Sequence, residues 1–186
     1  TWMQGRRLLA IETSLGKDRL AATSLTGEEG ISELFSYDVE MLSADLSISA
    51  ETMIGDKVKL VIQPEEGEGR FVHAMIAQWR AATVIGRDLR QYRARLVPWL
   101  WFLGHSTDCR IFQNLNVPDI IDQVFKTFGF TDYQMSVSRG DYPKLEFCVQ
   151  YRETALNFVC RLMEEVGIFF FFRHEEHRHV LVIADK

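Results

Sequence analysis

Apolar and polar positions alternate through most of the first hundred residues. Phe35-Ser36-Tyr37-Asp38-Val39-Glu40-Met41 keeps a period of two throughout, which predicts a strand with one face buried and one wet. Residues 8–12 and 20–25 are short apolar stretches separated by Leu15-Gly16-Lys17-Asp18, and together they predict a first hairpin. In residues 57–63, Val58, Leu60 and Ile62 alternate with Lys57 and Lys59. The run breaks at Pro64-Glu65-Glu66-Gly67-Glu68-Gly69, a Gly-rich acidic loop tip. Residues 71–82 carry Phe71, His73, Met75, Ala77 and Trp79 on one parity and Val72, Ala74 and Ile76 on the other. A strand apolar on both parities belongs near the centre of a sheet. Gly86-Arg87-Asp88 then turns the chain into residues 89–97, where Tyr92, Ala94 and Leu96 oppose Arg93 and Arg95 until Pro98 ends the strand. Between these strands, Ser49 and Gly55 bracket barely one helical turn, which reads as a connector outside the core.

After Pro98 the period lengthens. Asn116-Val117-Pro118-Asp119 supplies a cap, an early proline and a first-turn acid, and Ile120, Ile121, Val124, Phe125 and Phe128 follow on one helical face before Gly129. A second helix is predicted from Thr154, burying Ala155, Leu156, Val159, Leu162, Met163 and Val166 and stopping at Gly167. Residues 168–172 and 179–183 bracket a charged loop as a closing hairpin. Strands first and helices late give an α+β chain whose first hundred residues suit an antiparallel barrel or sandwich.

Charge removes some functions from consideration. Twenty-one Lys plus Arg against 26 Asp plus Glu leave a net charge of −5 with no basic cluster, which argues against nucleic-acid binding. The longest apolar run, 166–172, is far short of a bilayer span. Residues 1–7 lack the apolar region of a secretory signal. Cys109, Cys148 and Cys160 form no CxxC pair, and their odd number suits reduced thiols.

The most tempting chemistry is the run His174-Glu175-Glu176-His177-Arg178-His179, whose residue types can ligate a metal and would serve a metal-dependent hydrolase. The spacing fails the helical zinc-protease pattern and the run falls at a hairpin turn, so the side chains are expected to fan into water. His105 and Cys109 could meet on one helical turn as an imidazole–thiol pair, but nothing evident orients His105, and Cys109 reads as a small core residue. The acidic pairs Glu28-Glu29, Glu65-Glu66 and Glu164-Glu165 are adjacent and diverge on any regular element. Phosphate-cradling glycine loops and the serine elbow are missing from the sequence. No residue is therefore assigned to catalysis, to a metal or to a cofactor. The aromatic excess at Trp99, Trp101 and Phe102 and at 169–172 calls for packing or a subunit contact, with Phe169 and Phe171 as candidates. Four successive phenylalanines predict a central strand covered on both sides.

Leu34-Phe35-Ser36-Tyr37-Asp38-Val39-Glu40 with Leu42-Ser43, Ile54-Gly55, Pro98-Trp99-Leu100-Trp101, Asp108-Cys109-Arg110-Ile111-Phe112-Gln113, and the stretches 149–154 and 158–168 together resemble the N-terminal, phage-hub-like part of VgrG spike proteins (Rhs-element Vgr proteins) of type VI secretion systems. A more distant likeness is to hub proteins of contractile phage tails. One departure is Ala74, where such proteins often carry Gly after Phe71-Val72-His73. The resemblance implies a barrel-like hub domain (1–97), a helical insertion with short strands (98–166) and a closing hairpin returning to the barrel (167–186). It also implies that the chain is an N-terminal fragment of a longer protein. The implied role is mechanical and non-enzymatic: a homotrimeric base that sits on a hexameric tube protein and carries a puncturing needle. Such a spike is assembled in the bacterial cytoplasm and injected into target cells, with no membrane span and no cofactor.

Overall fold

The alternating segments become strands of one antiparallel sheet. In the computed structural model, which describes residues 8–64 and 68–186, these are β1 (Leu9–Glu12), β2 (Ala21–Glu28), β3 (Ser36–Ser43), β4 (Lys57–Ile62), β5 (Arg70–Ile85) and β6 (Leu89–Val97). Their order is β1-β4-β5-β6-β3-β2, a nearly closed barrel-like sheet with β1 and β2 as its end strands. Residues 1–7 and the centre of the acidic 64–69 loop lie outside the described residues.

The expected first hairpin does not form. β1 pairs with β4 (Ile11↔Leu60) and β2 with β3 (Leu25↔Val39), so the neighbours in sequence stand at opposite ends of the sheet order. Gly16 and Asp18 both have positive φ (95° and 60°), so the link kinks twice instead of making the two-residue turn that fixes a hairpin register. Inward parity carries Tyr37, Val39, Met41, Val58, Leu60, Val72, Ala74, Ile76, Tyr92, Ala94 and Leu96, all buried. The outer parity is charged: Arg95 grips Asp38 with two bonds of 3.0 Å and Arg93 pairs with Glu40 at 2.9 Å. β5 lies centrally as expected, although it runs on exposed past Trp79. The connector is α1 (Ala50–Met53), capped by Ser49, and it does enter the core, because Met53 is fully buried.

The chain divides into two compact units. The first takes the chain up to Glu29, Phe35–Pro98 and His174–His179; the second takes Gly30–Leu34, Trp99–Arg173 and Val180–Lys186. In the second, a 3₁₀ turn (Trp99–His105) leads to β7 (Thr107–Leu115), α2 (Val117–Thr127), β8 (Tyr133–Ser136), β9 (Leu145–Thr154), α3 (Ala155–Glu165), β10 (Phe169–His174) and β11 (His179–Ala184). Both helices start on the expected caps: Asn116 Oδ1 accepts from the Asp119 N–H at 2.9 Å, and Thr154 Oγ1 accepts from the Asn157 N–H at 3.1 Å. Both stop at glycines of positive φ, Gly129 and Gly167.

β7 and β9 pair antiparallel, a nine- and ten-residue ladder that the apolar pattern did not reveal. The closing hairpin's strands lie in a separate sheet of order β10-β11-β8, with β11 parallel to β8; only the 174–179 turn groups with the six-stranded sheet. The central strand is β11, whose six residues are all buried, and not the phenylalanine strand β10, which is an edge. Phe170 is buried while Phe171 is exposed. The run Val180-Leu181-Val182-Ile183 is apolar on both parities and β-branched at three of its four positions, which suits it to the centre.

Candidate functional site

The late histidines do not fan into water. His174 closes β10 and His179 opens β11, and both fold back onto the face of β5 that carries His73. The interior takes Val72 and Ala74, so His73 stands on the opposite parity, and the 174–179 turn covers it. His73 and His179 are 5% and 2% exposed, and of the run's three histidines only His177 is exposed, beside the exposed Glu176 and Arg178. The turn is closed by the Glu175 N–H donating to the Arg178 carbonyl at 2.9 Å and by an Arg178–Glu175 ion pair at 2.7 Å. Lys59 on β4 ties it down by pairing with Glu176 at 3.2 Å as well as with Glu12 at 2.8 Å.

Inside the turn the imidazoles contact one another. His73 Nδ1 and His179 Nδ1 are 3.0 Å apart, so one ring donates and the other accepts. The His73 N–H donates to His174 Nδ1 at 3.1 Å, and that nitrogen is also 3.1 Å from the His73 carbonyl. His174 Nε2 lies 3.0 Å from Glu29 Oε1, a close contact without aligned hydrogen-bond geometry. Phe35 packs against both rings, 4.8 Å from His174 and 5.6 Å from His179 between centroids. Glu29 also accepts from the Tyr37 hydroxyl and from Arg70 Nη2 at 2.5 Å.

Burial sets the electrostatics. It disfavours the imidazolium of His179, and His73, His174 and Lys57 add repulsion, pushing the pKa down to about 3. Burial also lowers His174, against the opposing pull of Glu29. For Glu29, burial works upward, but the Tyr37 hydroxyl and the Arg70 guanidinium outweigh it and hold the carboxylate low. Tyr37 is raised by burial and by donating to that carboxylate. Burial thus favours the neutral imidazoles of His174 and His179, beside the ionised Glu29.

Among the described residues, no group of three or more His, Cys, Asp or Glu is arranged to hold a metal, so the hydrolase alternative finds no support. His105 ends the 3₁₀ turn beside Trp101 (4.3 Å between centroids) while Cys109 is in β7; both are exposed, which corrects the reading of Cys109 as core and separates the two from any shared helical turn. Burial raises the Cys148 thiol and pushes Cys160 up to about 11, so neither is a thiolate near neutral pH.

The predicted aromatics separate. Trp99 is buried, stacked on Phe130 at 4.5 Å and edge-on to Phe125, with its indole N–H donating to the Asp132 carbonyl at 3.3 Å. Trp101 and Phe102 are half-buried and edge-to-face at 5.1 Å, Phe169 is half-buried, and Phe171 faces solvent. Sequence reasoning missed His73, Glu29, Tyr37 and Arg70 as partners of the late histidines. The available signal was His73 itself, a polar residue in the middle of a strand apolar on both parities.

The sequence matches the phage tail baseplate hub family over residues 28–186. It is 41% identical over 182 residues to the type VI secretion system spike protein VgrG1c of Pseudomonas aeruginosa, covering 98% of this chain and 25% of that protein. The fold is similar, with a TM-score of 0.84 and 26% identity, to an E. coli component of the type VI secretion system described as structurally similar to the T4 bacteriophage tail proteins gp27 and gp5; the match covers 94% of this chain and 48% of that one. A prophage tail protein of Shewanella oneidensis shares the fold at a TM-score of 0.61 and 14% identity, over 95% of this chain and 54% of that one. The chain spans about a quarter of the length of the VgrG relatives it matches. Barrel, helices and sequence agree: the chain belongs to the phage tail baseplate hub family and corresponds to the hub-like N-terminal region of VgrG spike proteins.

Proposed function

We propose that this chain is the hub portion of a type VI secretion spike, a structural base that forms a homotrimer, seats on the hexameric tube protein and carries the puncturing needle, with no catalytic role of its own. The observation that carries the reading is the 41% identity to a spike protein across 98% of the chain. The half-buried Trp101, Phe102 and Phe169 and the exposed Phe171 are the side chains we assign to subunit contact, because aromatics left partly in water are stabilised by being covered; Trp99 belongs to packing. Assembly takes place in the bacterial cytoplasm, and the spike acts after injection into the target cell.

The test uses the full-length spike. Its native mass is expected to be that of a trimer, with co-sedimentation on assembled tube protein, and Phe171→Asp is expected to lower trimer yield at least severalfold while the chain stays folded. A monomeric full-length protein, or one that ignores the tube, would overturn the reading.

A further inference from the structure

The outer face of β5, β6 and β3 is charged, and its charges do not balance. Asp38 holds Arg95, and Glu40 holds Arg93 while also accepting from the Gln91 amide at 3.1 Å. On β5, Arg80 lies directly opposite Arg93, and Gln78 directly opposite Arg95. Among the described residues no acidic side chain pairs with Arg80. Like charges facing one another across neighbouring strands cost stability. Arg80, Arg93 and Arg95 thus share one face with only Asp38 and Glu40 to answer them, on a chain whose net charge is −5.

The backbone shapes a recess at this point. The β5–β6 register shifts between Ile76 and Gln78 and again between Ala81 and Val84, so an irregularity that bends the strand lies on each side of Gln78 and Arg80. A groove of about 520 Å³ runs over this stretch, lined by Gln78, Arg80, Arg93 and Arg95 on one flank and by Asp38 and Glu40 on the other. All three arginines are exposed. A guanidinium carries five N–H donors, so the pairs already made leave donors free for a second acceptor. A planar carboxylate matches that fork with both of its oxygens. The two acids then decide which polyanion fits. Asp38 and Glu40 stand one strand away from Arg95 and Arg93 and repel a continuous phosphodiester backbone. A polypeptide escapes this, because it can set one carboxylate between Arg80 and Arg93 and turn neutral or basic side chains toward the acids.

We propose that the Arg80, Arg93 and Arg95 face is a docking surface for an acidic segment of a partner protein, one of whose Asp or Glu carboxylates enters between Arg80 and Arg93. It stands whether or not the aromatic subunit contact assigned above holds, since it shares no residue with it. The rule against facing like charges is broken here in favour of binding, so stability and binding part company at Arg80. Fluorescence anisotropy with the 186-residue chain and a labelled peptide of alternating Glu and Thr tests it at low salt. The expected result is saturable binding that fades as salt is added and is absent for a peptide of alternating Gln and Thr. Arg80→Glu is expected to weaken binding about tenfold while raising the thermal midpoint, because the introduced carboxylate answers Arg93. Arg80→Lys keeps the charge but loses the fork, and its affinity is expected to lie between the two. Glu40→Gln is expected to tighten binding about threefold by freeing Arg93, and Phe171→Asp to leave it unchanged. No binding at low salt, binding indifferent to Arg80→Glu, or single-stranded DNA of equal charge binding more tightly than the peptide would each overturn the proposal.

Discussion

The two compact units bury different things. The barrel unit holds a polar set, His73, His174 and His179 with Glu29, Tyr37 and Arg70, whose members contact one another across β5, the 174–179 turn and the chain around Glu29. The second unit is drier: Trp99 against Phe125 and Phe130, Phe112 on Phe158, and two helices capped by neutral side chains. Dispersion and area burial are nearly indifferent to pH, whereas the buried imidazoles of His174 and His179 depend on remaining unprotonated. Between pH 7 and 4.5 the barrel is thus the more titratable half, because the second unit's Asp122, despite its partial burial, is held below the usual carboxylate range by Lys126, Tyr133 and Arg139 and changes charge only in stronger acid.

The comparison is broken most directly by emptying the dry core. Phe158 is fully buried at the centre of α3, and Phe158→Ala is expected to destabilise the second unit by about 3–5 kcal/mol, the range for a large aromatic lost from a core. Hydrogen exchange followed residue by residue checks it: protection should fall first in β7, β9 and α3, while β3 to β6 hold longest.

Acid breaks the other half. The folded pKa of His179 is below its unfolded value of 6.5, near 3, so between those values the unfolded chain binds the extra proton. Stability from this group is complete above about pH 6.5 and is lost by about 1.4 kcal/mol per pH unit as the pH falls toward 3. His174, lowered by the same burial, adds in the same direction. Denaturant midpoints between pH 7 and 4.5 should fall with that slope for the barrel, and His179→Gln, which cannot charge, should flatten the slope whatever its effect at pH 7. An equal slope in the variant would remove His179 from the account.

Much of the fold was legible because local and global signals agreed. The Phe35–Met41 alternation, both caps and both terminating glycines are where the pattern placed them. What failed was long-range choice. Nothing local says that β1 pairs with a strand some fifty residues on, or that β11 rather than β10 takes the sheet centre. β7 and β9 were unreadable by periodicity because their outer face is as apolar as their inner one at Ile111, Phe147 and Val149. The histidine cluster needed a contact of |i−j| = 106 between His73 and His179, which no spacing within the 174–179 run encodes.

A smaller perturbation separates the halves by packing. Gly27 on β2 is opposite Tyr37, and a Cβ at Gly27 would come within 2.1 Å of the Tyr37 ring and 2.7 Å of the Ser36 carbonyl. Gly27→Ala must push aside the ring whose hydroxyl donates to Glu29, so the expected cost is about 1–3 kcal/mol. Its thermal shift should come with altered imidazole resonances at His174, because Glu29 also contacts that ring.

The smallest expected effect belongs to the second unit's caps and sharpens the contrast from the other side. Asn116 is buried and works twice: Oδ1 accepts from the Asp119 N–H, while Nδ2 donates to the Arg139 carbonyl at 3.3 Å. Asn116→Ala leaves both backbone groups without this partner and is expected to cost about 1–2 kcal/mol. Thr154 works once, at an exposed terminus where water replaces the lost bond, so Thr154→Ala is expected at about half that. Neither side chain titrates between pH 7 and 4.5, so both deficits should stay constant across that range in chemical denaturation. A cap deficit that grew with acid would mean that the second unit shares the barrel's proton linkage and that the division into a more and a less titratable half is wrong.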